Sequence, residues 1–527
     1  MPARDVRAGP PPGLNAGDAR GAPVRRDAGE GSAGPFVLGV DQGTSATKAI
    51  LVDAAGEVVA RASAPLARRD PGPGLVEQDA AELWRSVLDA VAACLRGAPP
   101  GRVAAVGLSV QRESIMLWDG GTGEPLGPLV SWQDRRGGEL CARLAGAASL
   151  VRELSGLPLD PMFSASKAAW LLDRHGRKGV RLGTVDSWLL YRLGGGHVIE
   201  AGCASRTQLL DVRRRAWSPE LCELFGIPDE ALPEVVPSTG AHAGAGALHP
   251  SLAGVPVAAV LGDSHAALYA HTAGRPGGVK VTYGTGSSIM ALAGADMCEN
   301  TAREAGLCLT IAWEDGAPAY ALEGNILAAG ATVTWLSGVL GVEPDELARL
   351  AARGERGRLH IVPAFGGLGA PWWDDGAEAI MTGFGLGTRR EDLARAAVDS
   401  IGLQVADVVA AMRRAAGPVT ELLADGGPAA NTDLMQWQAD ITGLPVRVAA
   451  RPELSALGAA HLAGLETGVW SRGELSGLPR HGRRHPPVLP VCERRRALAQ
   501  WHSAVARARH RTSRSGEAEA EASDRGS

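Results

Sequence analysis

Two short turns carry residue types that suit phosphate chemistry. Asp41-Gln42-Gly43-Thr44-Ser45 and Tyr283-Gly284-Thr285-Gly286-Ser287 each join two β-type runs. Each offers successive backbone N–H groups, a glycine permitting close approach, and hydroxyls, so the pair could grip phosphate oxygens from two sides. Taken singly, either turn reads better as an ordinary hairpin, because glycine so often marks one; their pairing favours phosphate. Asp41 ends one strand, and Asp263 follows the run 257–261 after Gly262. Carboxylates at strand ends face the crevice where α/β folds bind ligands, so one could hold Mg²⁺ and the other take a proton. Turn capping is the commoner fate of such an Asp, and residue types alone leave the two readings open. Arg112-Glu113 follows another strand, where a carboxylate and a guanidinium together suit the hydroxyls of a polyol, or simply pair with each other. The stretch 422–431, ending Asp425-Gly426-Gly427-Pro428-Ala429-Ala430-Asn431, is strand, glycine turn and helix start. It fits a nucleotide's base or ribose, or a plain strand–helix connection. Neither GxxxxGK[ST] nor a GxGxxG between strand and helix is present.

These residues need an α/β frame, since short β-type runs alternate with longer helical patterns. Strands are expected at 36–40, 48–52 and 57–62, a meander whose first turn is the one at residues 41–44. Asp79 and Glu82 resemble a capping box, and Leu83, Val87, Val91 and Leu95 recur at helical spacing, which predicts an amphipathic helix over 80–96. A buried strand follows at 103–110. Strands at 257–261, 278–283 and 287–292 form a second set, and 391–413 has a long helical pattern. A glycine-turn meander thus occurs twice, about 240 residues apart, which suggests two similar halves.

The chain has 527 residues, 45% hydrophobic, with 53 basic and 58 acidic side chains and a net charge of −5. That balance gives no electrostatic invitation to nucleic acid or an anionic membrane. The length allows two to four domains with cores of their own. Seven dispersed cysteines without a CxxC pair suggest neither a disulfide framework nor a zinc site, and fit a reducing cytoplasm. No run of 18 apolar residues is present, so no membrane helix is expected. Residues 1–34 lack the apolar core of a secretory signal and read as a disordered arm; residues 506–527 read as a disordered tail.

Twelve collinear blocks resemble the FGGY carbohydrate kinases of the actin-like ATPase superfamily, glycerol kinases in particular. They include VLGVDQGTSATKAILVD (37–53), SVQRESIMLWD (109–119), LVSWQDRR (129–136), DPMFSASKAAWLLD (160–173), GDSHAAL (262–268), VTYGTGSS (281–288), YALEGNILAAGATVTWL (320–336) and LLADGGPAANTDLMQWQAD (422–440). The resemblance implies an α/β protein of two actin-like (ribonuclease H-like) domains, 35–255 and 256–505, about a central cleft where ATP and sugar meet. It places Thr44, Ser45, Lys48 and Thr285 near the ATP phosphates, and Gly330, Thr334, Gly427 and Asn431 along the rest of the nucleotide site. Asp263 matches the family's general base, Asp41 the carboxylate near Mg²⁺, and Arg112, Glu113 and Trp132 the polyol contacts. Family members often form dimers or tetramers, so a homodimer or homotetramer is expected.

Three positions depart from the glycerol-kinase pattern. Met162 stands where DPYFSG-type sequences have Tyr, Ser264 where Gln follows the base, and Ser288 where Phe is usual. Lost contacts and added space imply an acceptor larger or more hydroxylated than glycerol, of about three to six carbons; Met162 reads alternatively as core filler. The stretch 238–256 lacks the Gly-Gly-Arg-type loop for fructose bisphosphate, so inhibition by that ligand is not expected. A pentulose kinase and a non-catalytic actin-like nucleotide-binding protein are the rival readings; the latter needs neither Arg112-Glu113 nor Asp263.

Overall fold

The meander that begins at the first glycine turn is one edge of a six-stranded sheet. Its strands are β1 (Phe36–Gln42), β2 (Ala46–Val52), β3 (Val58–Pro65), β4 (Val103–Val110), β5 (Thr239–Gly244) and β6 (Pro256–Gly262), in the order β5-β6-β4-β1-β2-β3. The computed structural model describes residues 35–99, 101–294, 299–357 and 359–510. A second sheet is built from β7 (Gly278–Tyr283), β8 (Ser287–Leu292), β9 (Cys308–Asp315), β10 (Ala317–Ile326), β11 (Glu421–Asp425), β12 (Val446–Ala449) and β13 (His481–His485), in the order β9-β10-β8-β7-β11-β12-β13.

The two sheets repeat one plan. β1 pairs antiparallel with β2 and parallel with β4, β4 is parallel to β6, and β5 closes the edge antiparallel to β6. Likewise β7 is antiparallel to β8 and parallel to β11, β11 is parallel to β12, and β13 is antiparallel to β12. β2–β3 matches β8–β10, both antiparallel, and β9 is an addition to the second sheet. The twofold repeat expected from the glycine turns is therefore present in strand order and direction.

Helix α1 (Ala80–Arg96) has the expected bounds: the Asp79 carboxylate accepts from Ala81 N and Glu82 N, and Leu83, Val87, Ala90, Val91 and Cys94 are buried against β2 and β3. The remaining helices used below are α2 (Ser164–His175), α3 (Asp263–Thr272), α4 (Gly330–Leu340), α5 (Arg390–Ala415), α6 (Thr432–Thr442), α7 (Leu454–Glu466) and α8 (Val491–Ala508).

The expected division at 255/256 does not separate the sheets. β6, placed by that division in the second domain, is hydrogen-bonded to β4 of the first sheet. α7, late in the chain, also packs on β1 and β4. Gly39 and Gly107 are register partners on those parallel strands. A Cβ at Gly39 would lie 2.2 Å from Ala456 O, and one at Gly107 would lie 2.1 Å from Ala459 O, so only glycine lets the helix backbone down onto this floor. The boundary was misread because β6 follows a Gly- and Pro-rich stretch, while its partner β4 lies across an excursion of well over a hundred residues. That excursion contains α2 and three strands of a further five-stranded sheet, whose other two strands, at residues 69–72 and 75–78, precede β4.

α8 continues to Ala508, with Trp501, Val505 and Ala508 buried, so residues 506–508 belong to the fold and not to a tail. The rest of the expected tail beyond residue 510, and the expected arm 1–34, lie outside the described residues.

Candidate active site

β4 ends at Val110, and the chain then turns through Arg112 and Glu113, both buried. Glu113 holds a left-handed backbone, φ 61°, a conformation a non-glycine residue keeps only where its surroundings enforce it. Its neighbours supply that enforcement: Ser164 Oγ donates to Glu113 O at 3.0 Å, and Arg206 Nε donates to Glu113 Oε1 at 2.6 Å. Arg112 is a fork. Its Nη1 and Nη2 donate to Glu323 Oε2 and Oε1 at 3.0 and 2.7 Å, and its Nε lies 3.3 Å from Asp263 Oδ1. Arg206 Nη1 also lies 2.8 Å from Glu323 Oε2, beneath the Phe163 ring.

Burial alone would raise the Glu323 carboxyl, but Arg112 and Arg206 more than offset it and hold it well below the usual carboxylate range. His265, packed beside Arg112, is kept neutral by burial and by that guanidinium. Glu323 and Arg206 are the residues that reading for isolated motifs missed, although both lie inside blocks carrying the resemblance. The signal for Glu323 was an acid in the middle of an otherwise uncharged strand, where its side chain had to find buried cations.

Asp263 opens α3 directly after β6, and its carbonyl is fixed by Ser455 Oγ of α7 at 3.1 Å. The next residue in the chain helps hold the carboxylate: Ser264 N donates to Asp263 Oδ1 at 2.6 Å. Burial raises the carboxyl above its ordinary value, Arg112 opposes this, and Glu113 adds to it. Asp41 is pushed up to about 6 by burial and by the charge of Asp263, against a hydrogen bond of 2.8 Å from Ser109 Oγ. Lys48, the cross-strand partner of Asp41, stands on the same face and draws that carboxyl down slightly. Asp41, Lys48, Asp263, Arg112 and Glu113 are thus brought together. Under the second turn lies Lys280, fully buried, its Nζ without a hydrogen-bond partner and its ionisation lowered by burial.

The second glycine turn meets the other expected nucleotide residues through the backbone. Gly330 N donates to Gly284 O at 3.0 Å, and Ala329 N and Ala331 N donate to Thr285 O, so this turn caps α4. Gly426, φ 91°, lets the 425–431 loop touch Tyr283, since a Cβ there would sit 2.0 Å from Tyr283 O. Thr285, Gly330 and Gly427 therefore belong to one surface. Thr334 Oγ1 donates to Gly330 O one turn back in α4. Asn431 spends its Oδ1 as the cap of α6, accepting from Asp433 N and Leu434 N.

Three expected acceptor residues are placed differently from simple lining positions. Trp132 Nε1 donates to Thr44 Oγ1 at 3.0 Å, joining the acceptor side to the first turn. Met162 packs its side chain on Leu157, Phe163 and Cys308, which is the core-filler reading, and offers its carbonyl to Lys167 Nζ at 2.6 Å. Ser264 and Ser288 present hydroxyls 3.4 Å apart, with Ser288 Oγ 3.5 Å from Glu323 Oε1. Ser45 is exposed at the tip of its turn.

Two halves of one sequence family account for this geometry. The FGGY family of carbohydrate kinases, N-terminal domain, matches residues 36–270, and its C-terminal domain matches residues 279–467. The chain belongs to the FGGY family of carbohydrate kinases. It is 43% identical over 493 residues to a glycerol kinase of Aromatoleum aromaticum, covering 90% of this chain and 99% of that one. It is 40% identical over 494 residues to an apulose kinase of Pectobacterium atrosepticum, again 90% and 99%. Among solved structures, Plasmodium falciparum glycerol kinase with ADP superposes with a TM-score of 0.83 at 26% identity, covering 92% of this chain and all of that one. The FGGY chain is accordingly a phosphotransferase acting on an alcohol, with ATP as the phosphoryl donor its family implies. Among the described residues no helix is long and apolar enough to cross a membrane.

Proposed function

We propose that this FGGY kinase transfers the γ-phosphoryl group of ATP to a hydroxyl of a sugar or polyol more hydroxylated than glycerol, with Asp263 as general base. The observation that carries the reading is the position of the Asp263 carboxylate, 3.3 Å from Arg112 Nε, close enough to Asp41 to raise it, and next to the Ser264–Ser288 hydroxyl pair. A carboxyl raised toward working pH takes a proton readily in the transition state. The acceptor hydroxyl, oriented by Arg112 and Glu113, attacks phosphorus in line; its proton passes to Asp263, the new P–O bond forms, the β–γ bridge breaks, and ADP leaves. Most of the acceleration comes from positioning and from charges aimed at the transferring group.

The nucleotide would lie between the first turn (Thr44, Ser45, Lys48) and the surface formed by Thr285, Gly330, Thr334, Gly427 and Asn431. A buried carboxyl raised partly by a second one beside it fits a divalent cation, and Asp41 is the residue to hold Mg²⁺ beside the phosphates. Mg²⁺ would supply charge neutralisation for the triphosphate. Among the described residues no group of three His, Cys, Asp or Glu converges, so the protein's share of such a site is small and the phosphates and water would complete it. Six free cysteines among the described residues, five of them buried, support a cytoplasmic setting; a homodimer or homotetramer is the assembly we propose with it.

The Ser264–Ser288 pair favours a hydroxylated carbon beyond the three of glycerol, as in tetritols and pentuloses, since each hydroxyl can both donate and accept. An ADP-release screen against glycerol, erythritol, threitol, xylitol, ribulose, xylulose and gluconate tests this. The highest kcat/KM is expected for an acceptor of four or five carbons; glycerol far ahead of all others would refute the enlarged pocket. Asp263→Asn should abolish transfer while nucleotide binding persists, and retained turnover would exclude it as the base.

A further inference from the structure

A closed ring of hydrogen bonds lies behind the first turn, joining Thr44 to Trp132 through residues to which no role has been given above. Gln78 Nε2 donates to Thr44 O at 2.7 Å. Gln111 Nε2 donates to both Gln78 Oε1 and Gln42 Oε1, at 2.9 and 3.1 Å, and Gln42 Nε2 donates to Gly43 O at 2.8 Å. Ser114 Oγ donates to Gln111 Oε1 at 2.9 Å and accepts from Trp132 N at 3.0 Å. The indole of Trp132 then returns to Thr44 Oγ1, closing the circuit. Gln42, Gln78 and Ser114 have no exposure and Gln111 has 1%. A main-chain bond, Gln111 N to Gln42 O at 2.8 Å, runs alongside.

This arrangement has a mechanical consequence. Gln42, Gln78, Gln111 and Ser114 satisfy one another or the chain beside them away from water, so a shift of one leaves a buried donor or acceptor unpaired, and the ring resists distortion as a unit. One side of it is the peptide run Gln42–Thr44. The other side is Gln111, directly before Arg112-Glu113, together with Trp132. We infer that Gln111 and Gln78 are positioning residues that transmit the state of the acceptor pocket to the phosphate-binding turn, so that acceptor and nucleotide bind cooperatively. The inference rests on the kinase reading above and adds to it a route by which the enzyme withholds the phosphoryl group until an acceptor is present.

A double-mutant cycle on nucleotide binding tests it. Gln111→Met keeps side-chain volume but removes the links to Gln42, Gln78 and Ser114; Trp132→Phe removes only the indole N–H bond to Thr44. Each is expected to raise the Kd of a non-hydrolysable ATP analogue about tenfold, and the double variant by little more than either alone, because both break one ring. Gln78→Met, which cuts the same ring at another point, serves where Gln111→Met fails to fold and should give the same non-additivity with Trp132→Phe. A second readout is the ratio of analogue Kd without and with the acceptor selected by the screen: at least ~5-fold in the wild type and close to 1 in the Gln variants. Additive effects in the cycle, or an undiminished ratio in the variants, would overturn the inference. Failure of the kinase reading shows separately, as no turnover of any acceptor by the intact enzyme.

Discussion

Replacing Asp41 by Asn should make the protein more stable and less active, and the stability gain should grow with pH. The Asp41 carboxyl stands at about 6 in the folded chain against 3.8 for the free group, raised by burial and by Asp263. Below pH ~4 both folded and unfolded chains hold the proton, and the residue costs nothing relative to a neutral side chain. As pH rises through 6 the unfolded chain is already ionised while the folded one is forced to ionise beside Asp263. The folded state therefore loses about two pH units' worth of free energy, or ~3 kcal/mol at about 1.4 kcal/mol per unit. Asn avoids that loss and can still accept from Ser109 Oγ, whose bond to Asp41 is 2.8 Å. For a chain of this length unfolding entropy is ~1 kcal/mol per degree, so Tm should rise by ~3 °C at pH 7.5, and more if the sheet carrying Asp41 melts by itself. Thermal melts of both proteins at pH 4 and pH 7.5, without nucleotide or Mg²⁺, give the comparison, with phosphoryl transfer assayed in parallel. Added Mg²⁺ and ATP should stabilise the wild type more than the variant. Equal melting at both pH values, or a variant that melts lower at pH 7.5, would refute the proposed strain between the two carboxyls.

Glu323→Gln should act in the opposite sense, since it leaves two buried guanidinium groups short of a counter-charge; a loss of about 3–5 kcal/mol is expected in urea unfolding, with a raised KM for the acceptor. Ser288→Phe should narrow the pocket at the Ser264–Glu323 wall and cost roughly 10–200-fold in kcat/KM for five-carbon acceptors while sparing glycerol; an unchanged preference would remove Ser288 from the pocket.

The strands of the first meander, helix α1 with its Asp79 cap, and the recurrence of the glycine-turn meander were legible because each rests on local chemistry: β-type runs, a capping carboxylate, or a glycine turn. Thr285, Gly330 and Gly427 were grouped only by the family resemblance, and the backbone contacts of the second turn bring them onto one surface. What sequence did not reveal was long-range. The place of β6 in the first sheet depends on a partner more than a hundred residues earlier, and the seat of α7 on Gly39 and Gly107 depends on contacts across the length of the chain. The sequence left Arg112-Glu113 open between polyol contacts and an ion pair with each other; in the structure Arg112 forks onto Glu323, Glu113 is gripped by Arg206, and of the two acids Glu113 holds a left-handed backbone. No spacing rule connects residue 206 or 323 to residue 112; only burial of all three in one place does.

That placement bears on how a duplicated fold comes to run a reaction with two substrates. Each sheet supplies a glycine turn after its first strand, so a nucleotide can be held from two sides by equivalent parts. The proposed acceptor pocket has no such symmetry: Arg112, Glu113 and Arg206 come from the excursion between β4 and β6, and Glu323 comes from β10 of the other sheet. Two guanidinium groups in a site without water would repel each other and collapse toward any carboxylate within reach. Glu323 from the other sheet and Glu113 beside it share the two positive charges, and Arg112 Nε, which has no hydrogen-bond partner, faces Asp263. The proposed pocket is therefore assembled only when both sheets are in place, and Arg112 Nε is an open guanidinium donor beside the carboxylate proposed as the base. A hydroxyl arriving there finds a donor and a proton acceptor already fixed, so its binding requires little rearrangement of the protein.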